Sequence, residues 1–204
     1  MSDWATQTLQ YYAENQEQFF DSTVSVDMSL AQNRFLARIP DKGRILDFGC
    51  GSGRDAKCFS ELGYLVDATD GSEELCRKAA EYTGLPVKQM MFQDLAAVSE
   101  YDGIWACSSI LHLPKAELKQ VLQKIAIALK AGGVLYTSFK YGTFEGIRNG
   151  RYFSDFTEET LEEFWRDLKE LTLADTWVTK DVRPGREEEK WINLLAVKEG
   201  VRKL

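Results

Sequence analysis

A chain of 204 residues, 44% hydrophobic and 28% charged, is long enough for one domain with a sizeable core and has the composition of a globular protein. Its net charge of −7 and the lack of a basic run argue against a broad phosphate-binding face, and so against a nucleic-acid partner. Four scattered cysteines without a C-x-x-C pair, a single histidine and no apolar run of membrane-spanning length point away from a metal site, a disulfide framework and a membrane, and toward a reduced, cytoplasmic protein.

Residues 2–21 read as a helix with a Ser/Asp cap, and its aromatics (Trp4, Tyr11, Tyr12, Phe19 and Phe20) are too many for a free tail. A second helix begins near Asp27 or Ser29, sets Ala31, Phe35 and Ile39 on one face and ends at Pro40. Next comes the stretch around which the chain is organised. Ile45 and Leu46 form a strand end, Gly49, Gly51 and Gly53 fall within five positions, and Ala56, Phe59 and Leu62 then recur every three residues as in a helix. Strand, glycine turn and helix together present backbone N–H groups and a helix N-terminus to a ligand. The dinucleotide fingerprint G-x-G-x-x-G fails, because its third glycine position is Arg54. The pattern acid-x-G-x-G-x-G fits, with Asp47 as the acid.

Gly63 ends that helix, and residues 64–70 form a strand that runs into Gly71-Ser72. Asp70 lies about 20 residues beyond the turn, where an acid at the end of a second strand accepts hydrogen bonds from ribose hydroxyls. It also reads as the N-cap of a helix over 73–82, and Asp67 is a rival acid from mid-strand. A short third strand over 87–92 ends at Gln93-Asp94-Leu95. A fourth, over 101–108, leads through Ser109-Ile110-Leu111 to His112, the one side chain whose ordinary pKa lies near neutrality. A helix over 115–130, with Leu118, Val121, Leu122, Ile125 and Leu129 on one face, stops at Gly132-Gly133 before a fifth strand over 133–141. Residues 142–156 read as a long loop without helical or strand period, and loops at this edge of a sheet are commonly functional. Lys140, Tyr141, Arg148, Arg151 and Tyr152 are candidates for holding a ligand there, an anionic one among the options; a solvated lid is the alternative. After a helix over 158–168 capped by Thr157, strands over 171–180 and 191–198 flank a charged turn. Its Arg183 and Arg186 read either as ligand contacts or as surface decoration.

Taken in this order, the features resemble the class I S-adenosylmethionine-dependent methyltransferases over residues 44–198. The acidic glycine motif matches that family's first motif. Leu129-Lys130-Ala131-Gly132-Gly133 is similar to its Leu-basic-Pro-Gly-Gly turn, with Ala131 where proline is usual. The resemblance implies a single-domain, Rossmann-like α/β fold: a seven-stranded, mostly parallel sheet with an antiparallel last strand and helices on both faces. Residues 1–40 would be a helical cap, 41–141 the cofactor-binding half and 142–204 the acceptor side. Asp47, Gly49, Cys50, Gly51 and Arg54 would hold the methionine part of the cofactor, Asp70 and Gly71 its ribose, and Gln93, Asp94 and Leu95 its adenine. Cys107 and Ser108 would close one side through their backbone. Tyr11 or Tyr12 would cover a sulfonium by cation–π attraction of about 0.5–2 kcal/mol, unless both merely pad the sheet edge.

The function implied is methyl transfer from S-adenosylmethionine to a small-molecule acceptor by in-line displacement, with S-adenosylhomocysteine as product. His112 would act as base toward a protonated acceptor or else orient its loop; Lys140, Tyr141, Arg151, Tyr152 and Arg183 would face the acceptor. Fragments such as Phe92-Gln93-Asp94-Leu95 and Gly150-Arg151-Tyr152-Phe153 are similar to a bacterial group described as tellurite-resistance-related, a label from which no tellurium chemistry follows. A protein- or nucleic-acid methyltransferase is the rival within the family, disfavoured by the acidity and by the missing N/D-P-P-[FYW] motif. A non-catalytic S-adenosylmethionine binder, or a dehydrogenase sharing the doubly wound sheet, is the rival outside it.

Overall fold

The structure is a computed structural model that describes residues 3–200. Where one N-terminal helix is expected there are two, α1 (Asp3–Glu14) and α2 (Gln16–Thr23). Asn15 breaks them at φ −112°, ψ 18°, and its backbone N–H and side-chain amide both donate to the Tyr11 carbonyl, at 3.0 and 2.8 Å. The Ser2 part of the expected cap lies outside the described residues.

The remaining helices and strands follow the alternation that the periodicities predict: α3 (Ser29–Leu36), β1 (Arg44–Phe48), α4 (Arg54–Glu61), β2 (Leu65–Asp70), α5 (Glu73–Thr83), β3 (Val87–Gln89), β4 (Tyr101–Ala106), α6 (Lys115–Ala128), β5 (Leu129–Lys140), β6 (Glu145–Arg148), β7 (Arg151–Ser154), α7 (Glu158–Trp165), β8 (Leu171–Lys180) and β9 (Lys190–Lys198). Seven strands form one sheet in the order β3-β2-β1-β4-β5-β9-β8. β1 through β5 are mutually parallel, and β9 alone runs against them. β8 is antiparallel to β9 and so runs with the parallel set, which gives the reversed last strand expected. β1 and β4 are buried on both faces, as strands of a covered parallel sheet must be. On one face Phe35 of α3 and Phe59 of α4 pack on Trp105, which stacks on Tyr136 with ring centroids 3.9 Å apart. On the other, Leu118, Val121, Leu122 and Ile125 of α6 join Leu46, Phe48 and Ile104.

Some boundaries move. β3 stops at Gln89, and Met90–Met91 leave the sheet for a 3-10 turn over Phe92–Asp94. α6 ends at Ala128, so Gly132-Gly133 fall inside β5 instead of between helix and strand. Leu62, placed by its spacing on the buried face, is 60% exposed because α4 has already ended at Glu61. α7 likewise stops at Trp165, short of 168. The stretch read as an irregular loop contains an antiparallel hairpin, β6–β7, turned by Asn149 (φ 51°) and Gly150 (φ 75°). Both φ values are those of a type I′ turn, for which Asn-Gly is the preferred pair.

The strand order reverses at β1, between β2 on one side and β4 on the other. In an open α/β sheet that switch point, at the carboxyl ends of the strands, is where a crevice forms. No helix among the described residues is long and apolar enough to cross a membrane.

Candidate active site

A cleft of about 250 Å³ opens over the carboxyl ends of β1, β2, β4 and β5. Its floor is the glycine turn after β1. Gly49 stands at φ +84°, and a Cβ there would lie 2.5 Å from the Ser109 Cβ, so only glycine lets the turn meet the segment after β4. Gly49 and Cys50 both donate their N–H to the Thr69 carbonyl at 2.8 Å, which locks the turn onto β2. α4 then begins at Gly53 without a side-chain cap.

Two carboxylates border this floor. Asp47 is buried, and its Oδ2 has no hydrogen-bond partner. Burial, then repulsion from Asp55, holds its carboxyl well above the usual carboxylate range. A buried, unpartnered oxygen is costly to a folded protein and calls for an explanation in terms of what it awaits. Asp70 accepts from Gly51 N through Oδ2 and from Ser72 N through Oδ1, both at 2.9 Å. Each oxygen keeps a second lone pair, and burial raises this carboxyl too. The helix cap once open to Asp70 belongs instead to Ser72, whose hydroxyl accepts from Leu75 N.

Asp55, which the sequence does not single out, is the centre of a buried network. It accepts from Gln32 at 2.7 Å, from the Trp105 indole at 2.9 Å and from both sides of the Arg54 guanidinium, as close as 2.6 Å. Arg54 also donates to the Thr23 carbonyl, tying α2 to the cleft wall. Cys107 and Ser108 line the cleft after β4. Ser108 sits at φ 51°, strained for a non-glycine residue, with its N–H held by Ser138 Oγ at 3.0 Å. Burial pushes the Cys107 thiol up to about 11, so it is not a thiolate nucleophile at neutral pH.

The cover comes from α1, α2 and the hairpin. Tyr12 and His112 Nε2 are 2.8 Å apart, and His112 Nδ1 is 2.6 Å from the Tyr152 carbonyl. A carbonyl can only accept, so Nδ1 carries the proton and Nε2 accepts from the Tyr12 hydroxyl. Burial lowers the His112 pKa to about 4, which keeps the ring neutral. Phe19 packs edge-on against Tyr12 and lies over Gly51.

Of the adenine-side candidates, none lines the cleft. Gln93 donates to Glu117, Asp94 is exposed and Leu95 is in the core, whereas Met90, Met91 and Phe92 form that wall. On the far side, Lys140, Arg151, Arg183 and Arg186 reach the cleft. Tyr141 instead donates to Glu158, Tyr152 packs on Trp4, and Arg148 forms a bidentate pair with Asp155. Lys140 pairs with Asp181 and Glu189, Arg183 with Asp181 and Arg186 with Glu189. Burial alone would raise the Asp181 carboxyl, but hydrogen bonds from Arg183 and Trp191 hold it below its usual range.

Comparison with known proteins points the same way. Residues 45–133 match the family described as a methyltransferase domain, and so cover the glycine turn, both carboxylates and His112. The chain is 30% identical over 115 residues to the Bacillus subtilis (strain 168) protein YqeM, which bears a provisional methyltransferase name; the match spans 51% of this chain and 47% of that protein. Among solved structures, a Burkholderia thailandensis 1,6-didemethyltoxoflavin-N1-methyltransferase, crystallised with 1,6-didemethyltoxoflavin and S-adenosylhomocysteine, is similar over 97% of this chain and 89% of its own (TM-score 0.78, 21% identity). Magnesium protoporphyrin IX methyltransferase from Synechocystis PCC 6803, with bound S-adenosylmethionine, is similar over 98% and 99% (TM-score 0.70, 19% identity). The [4+2]-cyclase SpnF has the same fold over 94% and 95% (TM-score 0.70, 17% identity). The fold is that of the class I methyltransferases, and residues 45–133 match a methyltransferase-domain family. A cyclase shares it, so the chemistry of this cleft has to carry the functional reading.

Proposed function

We propose that this protein is an S-adenosylmethionine-dependent methyltransferase that acts on a small-molecule acceptor. The observation that carries the reading is Asp47 Oδ2, a buried carboxylate oxygen without a partner on the wall of a cleft floored by a glycine turn. An ammonium group supplies the charge and the donors that this oxygen lacks, and S-adenosylmethionine presents one on its methionine part. Asp70, with lone pairs left after its two backbone bonds, suits the ribose hydroxyls. Met91 and Phe92 offer a flat apolar wall for the base in place of the Gln93-Asp94-Leu95 contacts that the resemblance implies.

When bound, S-adenosylmethionine supplies a methyl group on a sulfonium that is already an activated leaving group. The work of the chain is then to position and to exclude water. Holding acceptor and methyl donor in line contributes on the order of 7–11 kcal/mol. Tyr12, fixed by His112 and backed by Phe19, closes the cleft above the glycine turn and presents an aromatic face suited to a cation. His112 is a positioning residue in this scheme, since its one free lone pair is taken by Tyr12 and its ring stays neutral. The cleft is small and partly roofed, which favours a small acceptor over a folded macromolecule, and the net charge of −7 disfavours nucleic acid. A place in the tellurite-resistance-related group is part of the same proposal and rests only on the sequence fragments quoted above.

Isothermal titration with S-adenosylmethionine, S-adenosylhomocysteine and NAD tests the reading. Both sulfur compounds should bind and NAD should not; heat from NAD alone would overturn it.

A further inference from the structure

The charges of the cleft are unevenly spread. At the glycine end Asp47, Asp55 and Asp70 face the single cation Arg54, whereas at the far end Lys140, Arg151, Arg183 and Arg186 face only Asp181 and Glu189. Asp27 and Lys180 are both exposed at the rim. The excess at the far end has a specific address. Lys140, Arg183 and Arg186 are committed to carboxylates, but Arg151 makes no ion pair among the described residues, and its Nε is buried without a partner. Around its guanidinium stand the Tyr11 ring at 4.1 Å, Phe153 at 5.2 Å and Tyr12 at 5.8 Å, the last also through its neutral hydroxyl. Stacking of this kind holds the planar fork in place without neutralising it. Arg151, Arg183 and Arg186 also border a second groove, together with Tyr11 and Phe19.

Resting on the methyltransferase reading, we propose that the acceptor is an aromatic or conjugated carboxylic acid whose carboxylate pairs with Arg151. A half-buried guanidinium without a counter-ion is complemented by one monoanion, and a fork of parallel N–H donors matches the two oxygens of a carboxylate. The aromatic walls next to it, Tyr12 and Phe153, complement a flat ring more closely than a flexible chain.

The test uses the full chain, with benzoate, its uncharged counterpart benzamide and phenyl phosphate as probes, titrated with and without S-adenosylhomocysteine and followed by calorimetry and indole fluorescence. Benzoate should bind at least about tenfold more tightly than benzamide, as expected for one charge-assisted pair. Arg151→Gln should abolish that preference and Arg151→Lys should keep part of it, both with S-adenosylhomocysteine affinity within about twofold of the parent. Equal affinity for benzoate and benzamide, no binding of either, an unchanged preference in Arg151→Gln, or phenyl phosphate as the tighter ligand would each overturn the carboxylate assignment. Loss of S-adenosylhomocysteine affinity in Arg151→Gln would assign the residue to the cofactor side and overturn it as well. Failure of the parent to bind S-adenosylhomocysteine would instead remove the methyltransferase reading, while the benzoate preference stays readable on its own.

Discussion

Asp47 and His112 both pay for burial in their protonation equilibria, with opposite consequences. Asp47 has its folded pKa raised, so the folded state takes up a proton more readily than the unfolded one. Its contribution to stability is therefore lost as pH rises from the ordinary carboxylate range toward the folded value. A cationic ligand needs the ionised form, so S-adenosylhomocysteine affinity should increase as pH rises above the ordinary carboxylate range, with proton release visible in buffers of different ionisation enthalpy. Asp47→Asn should weaken binding by about 1.5–3 kcal/mol and leave the ligand-free protein as stable or more so; calorimetry and urea unfolding report the two effects separately. His112 has its folded pKa lowered from 6.5 to about 4, so its contribution is complete above the ordinary histidine value and is lost as pH falls through that window. The loss amounts to about 2–3 kcal/mol, and urea unfolding of His112→Asn should show a flatter dependence over the same range. Asp47 was legible from its place before three glycines; Asp55 was not, because its role is set by Gln32 and Trp105, which only folding brings to it.

Among the elements, the hairpin of β6 and β7 is what local reading missed, although its signal was present in Asn149-Gly150. Its strands are four residues each, β6 with one apolar side chain between charged ends and β7 with adjacent aromatics, so the alternation of a half-buried strand is faint. The hairpin matters because β7 carries Arg151 and presents the Tyr152 carbonyl that fixes His112. Gly150 stands at φ +75°, and an added Cβ would meet Tyr11 at 3.4 Å. Gly150→Ala should cost about 1–2 kcal/mol of local stability, seen as faster amide exchange across 145–154 and as weaker benzoate binding. The long elements were read more easily: α6 has a full apolar stripe, and β1 and β4 are short apolar runs in a fixed order. β3 was overestimated because Met90, Met91 and Phe92 are apolar for the cleft wall and not for the sheet.

Across the whole molecule, the rigid part is the seven-stranded sheet with two buried faces, and the less anchored part is the cover. α2 has no buried residue, and α1 buries only Ala5 and Thr8. Much of what holds them is the ring contacts over the cleft and the Arg54 bond to Thr23. Ligand binding should therefore slow exchange most in residues 3–23 and stabilise the protein by about 2.7 kcal/mol at a hundredfold excess over Kd. The mostly parallel sheet was implied by the family resemblance, whereas its strand order was not read; nor was the distribution of charge in the cleft, since Lys140, Arg151 and the turn after β8 meet only in three dimensions. The most direct test is a crystal structure with S-adenosylhomocysteine. The account predicts its ammonium within hydrogen-bond distance of Asp47 Oδ2 and its ribose hydroxyls on Asp70. A compound bound elsewhere, or Asp47 Oδ2 still without a partner, would contradict it.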